Sequence, residues 1–411
     1  MVENEKEKRV PNLRFEGFTD DWMQRLLKSE ATFSKGKGYR KKDLIFEGYP
    51  IILYGEMYTN YQEFIDNVNT YVANDSKAIK SNGHEVIVPS SGESPDDIVR
   101  ASSVKKEGII LGGDLNIIHP SKNINPDFLA LSISNGDSKK DLRSKAQGSS
   151  ITHLYNSDIE KIKIYYPHLS EQTKIVKVIS LINNIITLER EKIDALEKFQ
   201  EYFRHNILVR NIDEPFIRFQ GFKKKWSLKT LSNAASIVSG GTPSTKVEEY
   251  WNGDINWFTP SEIDKESYVT SSERKITKLG LVNSSAKLMP KNKTILFTSR
   301  AGIGNVSILK EDATTNQGFQ SLIVTENTDL YFLYSMADII KREALRVATG
   351  STFLEISSKE MRKIKIYLPN KLEQEKIGCF LENIDALIAS NRRKIDVYRN
   401  IKQTLLDNMF V

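Results

Sequence analysis

Two runs of apolar residues at heptad spacing constrain this chain more than anything else in it. From Ser170 to Ile207 the apolar positions are Ile175, Val178/Ile179, Ile182, Ile185/Ile186, Ile193, Leu196, Phe199, Phe203 and Ile207. No Gly or Pro interrupts them. That spacing predicts one long helix packed lengthwise on a partner. At about 1.5 Å per residue such a rod is roughly 57 Å long. The partner lies in the same chain. Ile377, Phe380/Leu381, Ile384, Leu387/Ile388, Ile395, Tyr398, Ile401, Leu405 and Met409 repeat the seam 202 positions later, Ile175 matching Ile377. Each seam misses one slot, at Glu189 and at Asn391, again 202 apart. Phase, length and polar defect coincide, which two unrelated core helices would not produce. An antiparallel pair aligned end to end is expected to bring Glu189 opposite Asn391, fixing the register at some cost in stability.

The repeat extends beyond the helices. Pro11-Asn-Leu-Arg14-Phe15-Glu-Gly17-Phe18, with Trp22 beyond, returns as Pro215-Phe-Ile-Arg218-Phe219-Gln-Gly221-Phe222, with Trp226 beyond, at an offset of 204. These aromatics are expected to be core staples at the entrance of a domain. Lys161-Ile-Lys-Ile-Tyr165-Tyr-Pro167 matches Lys363-Ile-Lys-Ile-Tyr367-Leu-Pro369. Its alternation of Ile and polar residues predicts a half-buried strand that stops at Pro. Ser170 with Glu171 then starts the first helix, and Asn370 with Glu373 has capping-box spacing for the second. Gly148-Ser-Ser150 likewise matches Gly350-Ser-Thr352. Each half therefore reads as entrance motif, globular body, closing strand and long helix.

The expected domains are a solvated tail at 1–10, body one at 11–167, a central spacer helix at 168–210, body two at 211–369 and a C-terminal spacer helix at 370–411. Body one shows strand-like runs at 51–54, 85–88, 108–111 and 115–118. Body two shows them at 234–238, 294–297, 305–309 and 320–324, with a helix over 330–347. The bodies themselves repeat poorly in sequence. The fold class is α+β: two mixed α/β bodies joined by two long antiparallel coiled-coil helices in a pseudo-twofold repeat.

The lone Cys379 excludes an internal disulfide and fits a reducing compartment. Its place in the second helix makes it a packing residue. Residues 1–9 have no apolar core of a signal peptide, and no run is long enough to span a membrane. A cytoplasmic protein is expected. The net charge of +6 permits an anionic partner without demanding one.

Catalytic signatures are absent. There is no Gly-x4-Gly-Lys phosphate loop and no His-Glu-x-x-His helix. The five His are scattered without metal spacing. Asn125-Pro-Asp-Phe128 is a partial match to an amino-methyltransferase motif, but no Gly-rich cofactor loop accompanies it. Asp96-Asp97 with Glu107 reads better as turn chemistry than as a metal site.

Binding features are present but diffuse. Lys35-Gly-Lys37-Gly-Tyr39-Arg40-Lys41-Lys42 mixes cations, Gly and one aromatic, which suits phosphate contacts, with Arg40 able to reach base edges. A solvated basic turn is the competing reading. Lys139, Lys140, Arg143 and Lys145, ahead of Gln147-Gly-Ser-Ser, read either as phosphate contacts or as an exposed polar loop. Arg300 within Thr298-Ser299-Arg300-Ala-Gly sits at a groove or is structural. Lys341, Arg342 and Arg346 read as a phosphate-facing row or as solvated helix charges. Trp251 and Trp257 are expected to be core or loop anchors.

Gly240-Gly-Thr-Pro-Ser244, Tyr250-Trp-Asn-Gly253-Asp-Ile-Asn-Trp257, Thr259-Pro-Ser, Thr298-Ser-Arg300-Ala-Gly-Ile-Gly304 and Asn316-Gln-Gly318, taken with the repeated strand–helix junctions, resemble the specificity (S) subunit of type I restriction-modification systems. The similarity covers nearly the whole chain, although body one lacks the Gly-Gly-Thr-Pro-Ser and Tyr-Trp-Asn-Gly runs. The resemblance implies two target-recognition domains, each reading half of a split site in double-stranded DNA. It adds Thr242, Ser244, Thr245, Lys246 and Ser299 to the candidate DNA contacts. It implies helices that set the spacing and dock two methyltransferase subunits, with two restriction subunits completing the nuclease. S-adenosylmethionine, ATP and Mg2+ would reside on those partners, with no cofactor and no active site in this chain. The competing class is a duplicated scaffold for protein partners only. Salt separates the two, since phosphate contacts weaken steeply with added salt and a hydrophobic scaffold does not.

Overall fold

The computed structural model describes residues 10–76, 78–146, 151–209, 212–263, 266–300, 302–350 and 354–411. The tail at 1–9 and the Gly148-Ser-Ser150 motif lie outside them, as do Ser351 and Thr352 of its repeat. Two 39-residue helices span Leu169–Ile207 and Lys371–Met409, so both ends keep the 202-residue offset. Contacts divide the chain into two units, Met1–Leu188 with Lys394–Val411, and Glu189–Arg393. Each contains a body and one stretch of each long helix.

Most seam positions are buried or half-buried, but Phe199, Leu387 and Ile401, expected in the seams, are exposed. In the first unit Ile175, Val176 and Ile179 join Leu406, Met409 and Phe410 in one core, and Lys402 Nζ donates to Asn183 Oδ1 at 2.8 Å. In the second, Phe203 packs edge-on against Phe380 at 5.2 Å, Arg204 pairs with Asp385 at 3.0 Å, and Arg392 pairs with Glu197. Rising numbers on one helix meet falling numbers on the other, so the stretches run antiparallel within each unit. Cys379 is a correction: it is exposed, on the outer face of its helix.

Asn391 sits in the seam at 2% exposure, but its facing partner is Lys192, one turn beyond Glu189. Lys192 Nζ donates to Asn391 Oδ1 at 3.2 Å, and Asn391 Nδ2 donates to Leu387 O at 2.9 Å. The expected Glu189–Asn391 pairing is replaced by an ammonium–amide pair. Lys192 is itself exposed and can return to water if the amide is lost. Asn391→Leu is therefore expected to hold or raise the melting temperature, since it fills an apolar slot with an apolar side chain. A fall of several degrees would show that the amide stabilises the pair.

The bodies, so different in sequence, each contain a five-stranded sheet of the same topology. In the first unit the strand order is Ala31–Lys35, Leu115–Pro120, Glu85–Pro89, Ser102–Val104, Phe64–Ile65. In the second it is Ala235–Ser239, Gln320–Val324, Thr294–Phe297, Val306–Leu309, Tyr268–Val269. In both, the first three pairings are antiparallel and the last is parallel. Tyr49–Ile52 pairs in parallel with Glu107–Leu111 in a second sheet, as Trp251–Phe258 does with Ala313–Thr315. Strand cores require apolar character rather than identity, so this duplication persists where sequence similarity has gone.

A repeated polar clasp joins each body to its helix. Arg14 donates two hydrogen bonds to Glu171 at 2.7 and 2.9 Å, and Arg218 donates two to Glu373 at 2.7 and 2.8 Å. Both carboxylates are at most 1% exposed. The bond to its Glu holds each guanidinium further above its ordinary range. Next along the helices, Gln172 binds Asn125 N, Asn123 O and Pro167 O, while Gln374 binds Asp329 N, Asn327 O and Pro369 O. Asn125 and Asp329 are helix N-caps, 204 residues apart, and each leads into a Phe packed edge-on against the entrance Trp. Trp22 and Trp226 are buried staples, and each entrance strand pairs antiparallel with the closing strand.

Candidate nucleic-acid interface

The first strand of the shared sheet ends in each body at a Gly-containing loop. Gly36 and Gly240 hold equivalent places: a Cβ on Gly36 would lie 1.8 Å from Gly112 O, and one on Gly240 1.9 Å from Asn316 O. The loops thus turn where only Gly lets two backbones approach. The basic loop of body one and the Gly-Gly-Thr-Pro-Ser loop of body two are structural counterparts.

In body one, Lys35, Lys37, Arg40, Lys41 and Lys42 are exposed. Tyr39 is half-buried at φ 55°, in the left-handed region, and its hydroxyl donates to Asn74 O at 3.0 Å. Asp43 accepts from Arg40 N at 2.7 Å and closes a short turn that projects the three cations. Beyond it Phe46 is fully exposed. In body two, Ser244, Thr245 and Lys246 are exposed, while the Thr242 hydroxyl is held by Gln317. The two Trp anchor this loop: Trp257 Nε1 donates to Gly241 O at 2.8 Å and Trp251 Nε1 to Ser244 O at 3.1 Å. Arg274 covers the Trp251 ring at 3.7 Å. Both indoles are therefore occupied as anchors.

Lys139, Lys140, Arg143 and Lys145 lie on a helix, Gly136–Lys145, and not on a loop. Lys140 pairs with Asp137, Arg143 with Asp96 and Lys145 with Asp141. The exposed pairs of Lys140 and Arg143 contribute about 0–1 kcal/mol and can exchange partners, whereas Lys145–Asp141 is half-buried. On the helix Ala337–Val347, Arg342 and Arg346 share a face, and Arg346 pairs with Glu343. Lys341 instead lays its stem over Gly304. Ser299 is a correction: it is fully buried, out of reach of a duplex in this conformation. Arg300 forms a backbone bridge with Glu355, which also bridges Thr349. The structure thus brings Arg300 and Glu355 together.

The motifs set aside as catalytic have structural employment. Asn125 Oδ1 accepts from Asp127 N and Phe128 N. Asp97 closes a capping box with Ser94. Among the described residues no group of three or more His, Cys, Asp or Glu could hold a metal ion, and no helix is long and apolar enough to cross a membrane.

Sequence reading missed His153 and Tyr155. Residues 151–155 alternate, with Thr152 and Leu154 buried and Ile151, His153 and Tyr155 exposed. The His153 and Tyr155 rings stack at 6.2 Å with 17° between planes, and Lys35 Nζ lies 5.4 Å from the Tyr155 ring centre. That alternation was the available signal, too short to stand out beside Gly148-Ser-Ser150.

Comparison with known proteins adds the family. A family model described as type I restriction modification DNA specificity domain matches twice, at residues 19–198 and 223–397. A type I restriction enzyme specificity subunit, MjaIX, of Methanocaldococcus jannaschii is 36% identical over 196 residues, 46% of this chain and 44% of its own length. One from Escherichia coli is 29% identical over 228 residues, 54% of each chain. The aligned part thus spans about half the length of these two relatives. The MjaVIII specificity subunit of M. jannaschii is 24% identical over 386 residues, 87% of each chain. The solved structure of a type I restriction-modification S subunit from M. genitalium superposes with a TM-score of 0.66 at 15% identity, covering 98% of this chain and 99% of that one. With two model matches that together span most of its length, each on one body and most of its helix, the chain belongs to the type I restriction-modification DNA specificity domain family.

Proposed function

We propose that the chain is the DNA-reading specificity subunit of a type I restriction-modification complex, with body one (11–167) and body two (211–369) each reading one half of a bipartite site. The duplicated sheet with divergent loops carries this reading: one frame is presented twice with different outward chemistry. The chain would perform no bond-breaking step. Exposed cations at Lys35–Lys42, Lys246, Arg342 and Arg346, with Lys139–Lys145, would contact phosphates, and loop side chains the bases. Exposed Leu181, Leu188, Val397 and Ile401 on the first unit's helix stretches, and Leu372 and Leu387 on the second's, support docking of protein partners. These would be two methyltransferase subunits carrying S-adenosylmethionine and two restriction subunits using ATP and Mg2+, in the cytoplasm.

The scaffold-only reading would account for the helices but not for exposed cations on both bodies. The test is salt. With the chain reconstituted with its methyltransferase subunits, affinity for a duplex is expected to fall about 10³-fold or more between 50 and 200 mM salt if roughly six phosphates are neutralised. Affinity independent of salt, or no affinity for duplex DNA, would overturn the reading.

A further inference from the structure

Beyond the shared sheet, one strip of backbone is held the same way in both bodies. In body one Leu154 N donates to Ser90 O at 3.0 Å, and His153 stands opposite Ser91 in an antiparallel pairing. In body two Ile356 N donates to Ser299 O at 3.0 Å, and Glu355 stands opposite Arg300. Leu154 and Ile356 are 202 positions apart, each at 0% exposure. On either side of them the chain turns outward: His153 and Tyr155 in body one, Glu355 and Ser357 in body two.

The strip is rigidly backed. Asn116, fully buried, donates from Nδ2 to Leu154 O at 2.9 Å. Asn156 donates to Ser34 O at 2.9 Å, tying the strip to the strand that carries Lys35. In body two Glu355 and Thr349 exchange backbone bonds at 2.9 and 3.0 Å. The inward residues do the packing; of the outward ones Ser357 caps the helix Ser358–Lys363, its Oγ accepting from Glu360 N at 3.2 Å, while His153, Tyr155 and Glu355 turn to solvent. Nothing in the fold requires a stacked His–Tyr pair in solvent, and such rings expose apolar surface at a cost. A rigid backbone that turns a pre-stacked ring pair outward is what presentation of a reading group needs.

We propose that this strip is the base-reading edge of each body. His153 and Tyr155, with Lys35 beside them, read the first half-site, and Arg300 with Glu355 reads the second. The proposal rests on the DNA-reading function above and names the residues that would execute it. The chemistry differs between the two edges. The imidazole offers a donor and an acceptor, the phenol a donor, and Ile151 with the ring faces an apolar contact for a thymine methyl. Residues directly opposite across an antiparallel pair share a face, so Arg300 and Glu355 project together. Arginine pairs with guanine O6 and N7, and a carboxylate accepts from cytosine N4. The second edge is therefore suited to a G·C pair.

The test uses the full chain reconstituted with its methyltransferase subunits and a duplex library with randomised half-sites. Methylated bases are read out by sequencing. His153→Ala with Tyr155→Ala is expected to lower discrimination about tenfold at one or more base pairs of one half-site and leave the other half unchanged. Arg300→Ala is expected to do the same at a G·C pair of the opposite half. If the double variant fails to fold, Tyr155→Phe alone, which keeps the ring, should still relax one position. A uniform drop across all sequences, or an unaltered site, would overturn the proposal. A wild-type complex without any sequence preference would instead sink the functional reading beneath it.

Discussion

Arg14→Leu is expected to destabilise the first unit by about 3–5 kcal/mol, because it leaves the Glu171 carboxylate buried and unpaired. Glu171 is 1% exposed and Arg14 supplies both of its charged hydrogen bonds. Arg218→Leu should cost the second unit less. There the Trp226 indole N–H also donates to Glu373, at 3.3 Å, and survives the change. Urea unfolding of the full chain, followed by probes in each unit, gives both values. Arg14→Leu combined with Glu171→Met should recover most of the loss, as buried pairs replaced by apolar groups commonly do. A loss below about 1 kcal/mol for Arg14→Leu would place the clasp among ordinary surface pairs.

Exchanging body two, roughly 219–365, for the same segment of a divergent relative is expected to change one half of the methylated site completely and leave the other intact. The exchange keeps Arg218, Glu373 and Gln374, and the incoming segment supplies its own Trp and helix cap. Loss of both halves would argue against independent readers. Inserting one heptad into each long helix should instead widen the gap between unchanged halves. Seven residues add about 10 Å, or roughly three base pairs at 3.4 Å. The direction of that change is the decisive readout, from sequencing of methylated bases.

The parts of this fold that were legible in the sequence are those where identity itself is required. The Trp staples, the Arg and Glu of the clasp and the Ile-Lys-Ile strands recur because each makes a specific contact. The helix seams were legible because a 39-residue element repeats its period many times. The common sheet was not legible, since Val86, Ile87 and Val88 need only be as apolar as Ile295, Leu296 and Phe297. The helix Gly136–Lys145 resembled a polar loop because only Ser138 and Leu142 on it are buried. Asn391 was correctly read as a polar seam residue, but its partner depends on rotamers one turn apart, which spacing does not resolve. At the candidate interface, charge clusters were visible, whereas the outward aim of His153 and Tyr155 depends on what lies beneath them.

The clasp and seams also bear on what half of this gene would encode. A chain ending just past Leu208 keeps one entrance motif, one body, one closing strand and one helix, with Arg14, Glu171 and Gln172 all present. It loses Leu406, Met409 and Phe410, the residues that cover Ile175, Val176 and Ile179. The surface best matched to the bare seam is a second copy of the same helix, turned end for end. Two such fragments would cover each other's seams, and, with each body reading DNA as proposed, two identical readers would favour a palindromic site. Duplication and fusion of an ancestral homodimer is then a short genetic step, after which each copy is released to diverge.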